Sequence, residues 1–375
     1  MDCVELTKLT TWERRFLLAV NQMKSIFYFA SSFLCLSASF ALENSIEEPF
    51  IEPSIPTHSV AYTPEAVTTE PRGLITPTVS PRVEQGQDVL IDIDFIWWKS
   101  YVSNFDYAQI NGDILTPHFK FQPGLKVGTG MDLYHDGWDV YTEYTWLYQP
   151  DLKNSGNSLT PGYSSLITPF AQGAEEGILS SIAILNTSAL RKSLFNILDA
   201  EVGRNFFISK RLTLRPNIGI KGASLFERTK ITYTGRGPIN SAAATLRQNL
   251  SGLGIKAGID TLWHIIPSFG FYGNLSITAL WGSFHNTFIN KFTLNGDFSS
   301  RSYYRNTQDI LPVIEAGLGL SYMVWFKQNQ YQFYTKAGWE EQIWIGYNKN
   351  IVNGMSSSCG SLTLQGLTWK LGLAF

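Results

Sequence analysis

The chain has 375 residues, of which 44% are hydrophobic, 14% aromatic and only 16% charged, and its 31 acids nearly cancel its 29 bases. Charge this scarce beside 11 Trp, 17 Tyr and 24 Phe excludes a disordered chain, which is poor in aromatics, and departs from soluble domains, where charged residues make up about a quarter. A formal charge of −2 excludes a nucleic-acid binder, which needs a basic excess to displace counterions.

At the N-terminus, Met23 and Lys24 precede an apolar stretch from Ile26 to Phe40 that ends in Ser39-Phe40-Ala41. Small residues at those two positions are what a signal peptidase reads, so residues 1 to 41 are expected to be a secretory signal cleaved after Ala41, with the functional start at Met23. The run is too short and too rich in serine for a bilayer-spanning helix, which needs about 20 apolar residues. No later segment reaches 18 apolar residues, so a membrane location would have to use strands. Cys3 and Cys35 leave with the signal, and Cys359 is left as an inert thiol or the source of an intermolecular disulfide. Residues 42 to 88 hold seven of the chain's 16 prolines and eight acids, which predicts an extended periplasmic linker.

From Val89 the hydrophobic period is two. Ile91, Ile93, Phe95 and Trp97 alternate with Asp92 and Asp94, and Trp138, Val140, Tyr144 and Trp146 alternate with Asp139 and Glu143. Between them, Phe119, Phe121, Leu125 and Val127 alternate with Lys120 and Lys126. The pattern recurs with Asp199 and Glu201, with Arg215 and Lys221, with Lys256 and Asp260, and along residues 271 to 281. It closes with strands around Glu315, around Lys336 and Glu340, and around Lys370. A soluble sandwich alternates too, but strands of about ten residues with dense Trp, Tyr and Phe and mid-strand charge fit lipid outside and a polar lumen inside.

The connections run long, short, long, short. Residues 100 to 116, 149 to 195, 233 to 249, 286 to 308 and 346 to 360 are the long ones; 132 to 137, 209 to 210, 264 to 268 and 325 to 329 are the short ones. This predicts an all-β fold, a transmembrane antiparallel barrel of ten strands over residues 89 to 375, with both termini periplasmic and five loops external. Twelve strands stay open as the alternative, should residues 149 to 195 or 225 to 249 hide a hairpin.

The chain ends on Leu367, Trp369, Leu371, Leu373 and Phe375, which resembles the C-terminal strand by which outer-membrane barrels engage their insertion machinery. Short runs extend the likeness: Phe95-Ile96-Trp97-Trp98-Lys99, Gly124-Leu125-Lys126-Val127-Gly128, Asp199-Ala200-Glu201-Val202-Gly203-Arg204, Leu214-Arg215-Pro216-Asn217-Ile218-Gly219 and Gly338-Trp339-Glu340-Glu341-Gln342-Ile343-Trp344. As a set, residues 89 to 375 resemble the Legionella-type major outer membrane protein family, also widespread in chlamydia-like bacteria. The resemblance implies a pore-forming outer-membrane barrel with an adhesin role as well, and brings no catalytic residues.

The inward positions carry nine acids (Asp92, Asp94, Asp139, Glu143, Asp199, Glu201, Asp260, Glu315, Glu340) and seven bases (Lys120, Lys126, Arg215, Lys221, Lys256, Lys336, Lys370). Near balance predicts paired charges and a narrow, weakly selective diffusion pore, its width set by whether the loop at 149 to 195 folds inward through its apolar piece at 177 to 185. The alternative is a closed structural or adhesive barrel that works through its external loops. No His or Cys pair stands at ligand spacing, and His118 and His285 near the rim have no triad partners, so neither enzyme activity, metal nor cofactor is expected. The expected partners are outer-membrane lipid and the insertion machinery, with a homo-oligomer and a host-surface ligand left open and nucleic acid excluded.

Overall fold

The computed structural model describes residues 89–110, 113–133, 137–157, 183–209, 211–236, 239–294, 297–327, 330–352, 356–357 and 360–375. Cys359 and residues 1–88, with the expected signal and linker, lie outside them. No helix among the described residues is long and apolar enough to cross a membrane.

The strands in chain order are β1 (Val89–Val102), β2 (Ala108–Ile110), β3 (Asp113–Leu115), β4 (Phe121–Asp132), β5 (Trp138–Asn157), β6 (Ala183–Arg204), β7 (Phe206–Phe207) and β8 (Leu212–Arg236). They continue with β9 (Ile239–Ile266), β10 (Phe269–Leu294), β11 (Asp297–Phe326), β12 (Tyr331–Asn348), β13 (Ile351–Val352), β14 (Ser356–Ser357) and β15 (Gly360–Ala374). Ten of these form one antiparallel sheet in the order β6-β5-β4-β1-β15-β12-β11-β10-β9-β8, and pairing of β8 with β6 closes it. The two-residue β7 pairs with the start of β8, while β2–β3 and β13–β14 are small separate hairpins.

Closure removes every sheet edge, which is the condition for a sheet to live in lipid. The alternation then sorts the side chains. Ile91, Ile93, Phe95 and Trp97 are exposed on the outer face, whereas Asp92, Asp94, Ile96 and Trp98 between them are buried. Leu253 on β9, Trp281 on β10 and Ile310 on β11 stand opposite one another in register and are 62%, 66% and 65% exposed. Such a row is at odds with water and at home in hydrocarbon. The next outward row, Ser224, Ser251, Ser283 and Gln308, is polar and marks the edge of the apolar band.

One end of the barrel carries the short connections from β4 to β5, β7 to β8, β9 to β10 and β11 to β12. Both ends of the barrel chain meet there: Val89 and Phe375 exchange two backbone hydrogen bonds at 3.0 and 3.1 Å. At the other end the strands run far past the apolar band. The described residues of 233–249 and 286–308, spans expected from sequence as long loops, instead extend the ladders: β10 and β11 stay in register from Phe269↔Tyr322 to Leu294↔Asp297. Residues 149–195 and 225–249 add length to β5, β6, β8 and β9 and no further barrel strand among the described residues, so the count is ten.

Candidate functional site

The barrel interior divides along its axis into a charged lower half, toward the short turns, and an apolar upper half. In the lower half Lys126 of β4 reaches Glu143 of β5 at 3.1 Å and Glu340 of β12 at 2.8 Å. Lys370 of β15 lies 3.0 Å from Glu143, 3.4 Å from Asp94 and 3.5 Å from Asp92. The Tyr141 and Tyr334 hydroxyls donate to Asp92 at 3.0 and 2.8 Å. Asp92, Asp94 and Glu143 have carboxylate oxygens close enough together to hold a metal ion, but the Lys370 ammonium already sits among them and supplies the neutralising charge.

Around the wall, the Arg215 guanidinium of β8 donates to Asp139 at 2.5 Å and to Glu201 and Asp260 at 2.7 Å each. Arg215 therefore ties three carboxylates from three strands, a use of its planar five-donor fork that a lysine could not copy. Gly203 makes room for it, since a Cβ there would stand 2.5 Å from the guanidinium carbon. Lys221 bonds Asp199 and Glu315 at 2.7 Å each, and Lys256 lies 3.3 Å from Glu201 and 3.5 Å from Asp199. Gly128 has the same purpose beside Asp92 and Tyr141, which a side chain would collide with. Lys336 has no carboxylate within ion-pair distance among the described residues and rests instead over the Tyr272 and Tyr334 rings at 5.7 and 5.5 Å, a cation–π arrangement.

Apart from the fully buried Asp94 and Lys221, these charged and tyrosine side chains line a cavity of about 510 Å³ that reaches the short-turn rim at Leu90, Asp132, Phe207, His264, Trp325 and Ala374. Above it the lumen is filled. Trp98, Leu147, Phe195, Ile197, Leu225, Leu280, Phe284 and Trp344 are buried within one apolar cluster that spans the barrel. One ion pair is embedded there: Arg191 donates to Glu227 through Nε at 2.9 Å and through Nη2 at 3.2 Å, and its Nη1 donates to Ser100 at 3.0 Å. A fully hydrogen-bonded pair is what such an environment tolerates.

Of the sixteen charges read from sequence as lumen-lining, fifteen stand in these interior networks. Lys120 does not. It is exposed in the segment before β4, which begins only at Phe121, because Pro117 and the residues around it keep that stretch out of the ladder. His118 is exposed in the same segment, and His285 is exposed on the outer face of β10. The pair Arg191–Glu227 is not readable from sequence, since apolar Phe195 and Ile197 turn inward beside it and reverse the usual alternation. At the C-terminus, Leu367, Trp369, Leu373 and Phe375 face outward and are exposed, and Leu371 is half-buried. The piece at 177–185 lies mostly outside the described residues; Ala183, Ile184 and Leu185 belong to β6.

A family described as Legionella pneumophila major outer membrane protein precursor matches residues 81–375. The chain belongs to this family. Its members are outer-membrane proteins by that description, which places the barrel in the outer membrane. Among curated proteins none matches. Among solved structures, the chain is similar to a major outer membrane protein from Thermus thermophilus, with 12% identity over 76% of this chain and 99% of that one and a TM-score of 0.29. It is also similar to a Pseudomonas aeruginosa FadL homologue, with 8% identity over 77% of this chain and 90% of that one and a TM-score of 0.25. A third similar structure is Ail, the attachment invasion locus protein of Yersinia pestis, with 8% identity over 77% of this chain and 98% of that one and a TM-score of 0.23.

Proposed function

We propose that this family member is an outer-membrane barrel held shut, a platform for the hairpins and loops at its long-loop end. The observation that carries this reading is the apolar layer around Trp98, Phe195, Phe284 and Trp344, whose fully buried side chains pack inside the barrel above the charged cavity. Small barrels have interiors that side chains fill, and ten strands stand near that limit. Layers of large buried side chains, each worth about 1.5–3 kcal/mol, do not part without cost. The short turns and the joined termini support placing that end in the periplasm, with the long hairpins outside. The chemistry supports a non-catalytic role: the lumen carboxylates are held by lysines, Arg215 and tyrosines, and His118 and His285 stand apart from them.

A narrow, weakly selective pore is the second reading, and the cavity of about 510 Å³ favours it, since half of a transport path is already built. Swelling of proteoliposomes in isotonic solutions of small sugars separates the two. The shut barrel predicts no swelling above that of empty vesicles, and size-dependent swelling would make the pore the function.

A further inference from the structure

Between Glu201 and Asp260 the sequence holds ten bases and one acid, Glu227. Arg215, Lys221 and Lys256 have the interior partners described above, but another group points the other way. Arg191 and Ser193 flanking Lys192, Glu227 and Thr229 flanking Arg228, and Leu246 and Gln248 flanking Arg247 are all buried inside the barrel, so the three basic side chains between them project from its outer face. Register places them in one row: Lys192 of β6 opposes Arg228 of β8, which opposes Arg247 of β9. Neighbouring strands are about 4.8 Å apart, and like charges directly opposite repel. The adjoining row adds Lys153 and Lys230, on either side of Leu190.

No ion pair joins Lys192, Arg228 or Arg247 to an acid among the described residues, and the other outward positions beside them on β8 and β9 are Phe226, Thr232, Thr245 and Asn249. The row lies three side-chain rows beyond the exposed apolar row that contains Leu253. A row of three cations just outside the hydrocarbon edge is complementary to a multivalent anion at headgroup level. We infer that Lys192, Arg228 and Arg247 form a docking site for the phosphorylated headgroup of an outer-leaflet glycolipid. The guanidinium forks of Arg228 and Arg247 suit phosphate oxygens, and the serine row beneath leaves the acyl chains the apolar band below. The inference rests on the long-loop end facing outward.

The test uses the refolded full-length mature protein in nonionic detergent, with native mass spectrometry against diphosphorylated lipid A and its dephosphorylated counterpart. Binding of the diphosphorylated form should be on the order of tenfold tighter, and K192Q/R228Q/R247Q should erase that preference, as expected for lost charge-assisted contacts. Equal binding of the two lipids by the wild type, a measurement that needs no variant, would overturn the site. So would a preference that survives in the triple variant, or inorganic phosphate that displaces the lipid at equal concentration, which would make free phosphate the ligand. Ser241→Cys, exposed on the outer part of β9, placed in a Cys359→Ser background and labelled by an impermeant maleimide in intact cells, reports orientation separately. Absence of labelling overturns the outward reading and this occupant together, whereas labelling with no lipid preference overturns this inference alone.

Discussion

At the scale of single residues, the interior is a set of shared ion pairs, in which Glu143 bridges Lys126 and Lys370 and Asp199 bridges Lys221 and Lys256. Arg215 neutralises Asp139, Glu201 and Asp260, so Arg215→Gln leaves Asp139 and Asp260 without a cation among the described residues and Glu201 with Lys256 alone. Breaking a buried pair on one side costs about 3–5 kcal/mol. Arg215 is not fully enclosed, with 14% of its side chain exposed, so the lower end of that range is the expectation. Urea unfolding followed by the heat-modifiable mobility shift should show it, while Lys120→Gln, at an exposed position, should stay within about 0.5 kcal/mol of wild type. On the opposite face, Ile255 is 67% exposed in the middle of the apolar band. Ile255→Arg should destabilise the barrel folded in bilayers by about 2–4 kcal/mol, the cost of a charge in hydrocarbon. A neutral result in lipid would mean that this face does not meet the membrane.

At the scale of strands, what the sequence reveals depends on where along the barrel axis a segment lies. Where the lumen is wet and the outside is lipid, alternation is sharp, and Asp92–Asp94 or Lys256–Asp260 read directly as inward charges. In the upper half the rule inverts. Leu246, Gln248 and Leu250 are buried while Arg247 and Asn249 face out, which in sequence looks like a polar loop with scattered leucines. The extensions of β5, β6 and β8 to β11 therefore read as loops, and Arg191–Glu227 stays hidden with them. The apolar seal is concealed by the same inversion, since residues such as Trp98 and Ile197 read as part of a greasy strand without a hint of which side they fill. Truncating the seal tests its role. Trp98→Ala and Trp344→Ala should each cost about 3–5 kcal/mol, by lost burial and residual cavity, and the double variant should admit small solutes in a vesicle-swelling assay. At the seam, Phe375 joins the end of β15 to β1 through the Val89 backbone. We propose that the exposed Leu367, Trp369, Leu373 and Phe375 face is also what the insertion machinery reads. Deleting Phe375 should lower the assembled fraction in cells much more than the yield refolded in detergent. Equal losses in both would reduce the residue to a structural clasp.

At the scale of the molecule, two halves with opposite chemistry are stacked in one barrel: a charged cavity toward the short turns and an apolar plug toward the hairpins. The lower half alone would suit a channel, and the nine acids and six bases of its networks would bias it toward cations. The upper half, packed with buried apolar side chains, is what we propose shuts it. Fold class and strand number are legible from periodicity and from the alternation of long and short connections, because both are imposed by lipid and by closure. Whether the lumen is open is not legible, because packing across a barrel depends on which side chains meet from distant strands, such as Trp98 of β1 and Trp344 of β12. Whether the lumen is shut is read by single-channel recording of the refolded chain 42–375 in a planar bilayer under a salt gradient. A shut lumen gives inserted, folded protein with no reproducible conductance steps; regular steps with a defined reversal potential would contradict it.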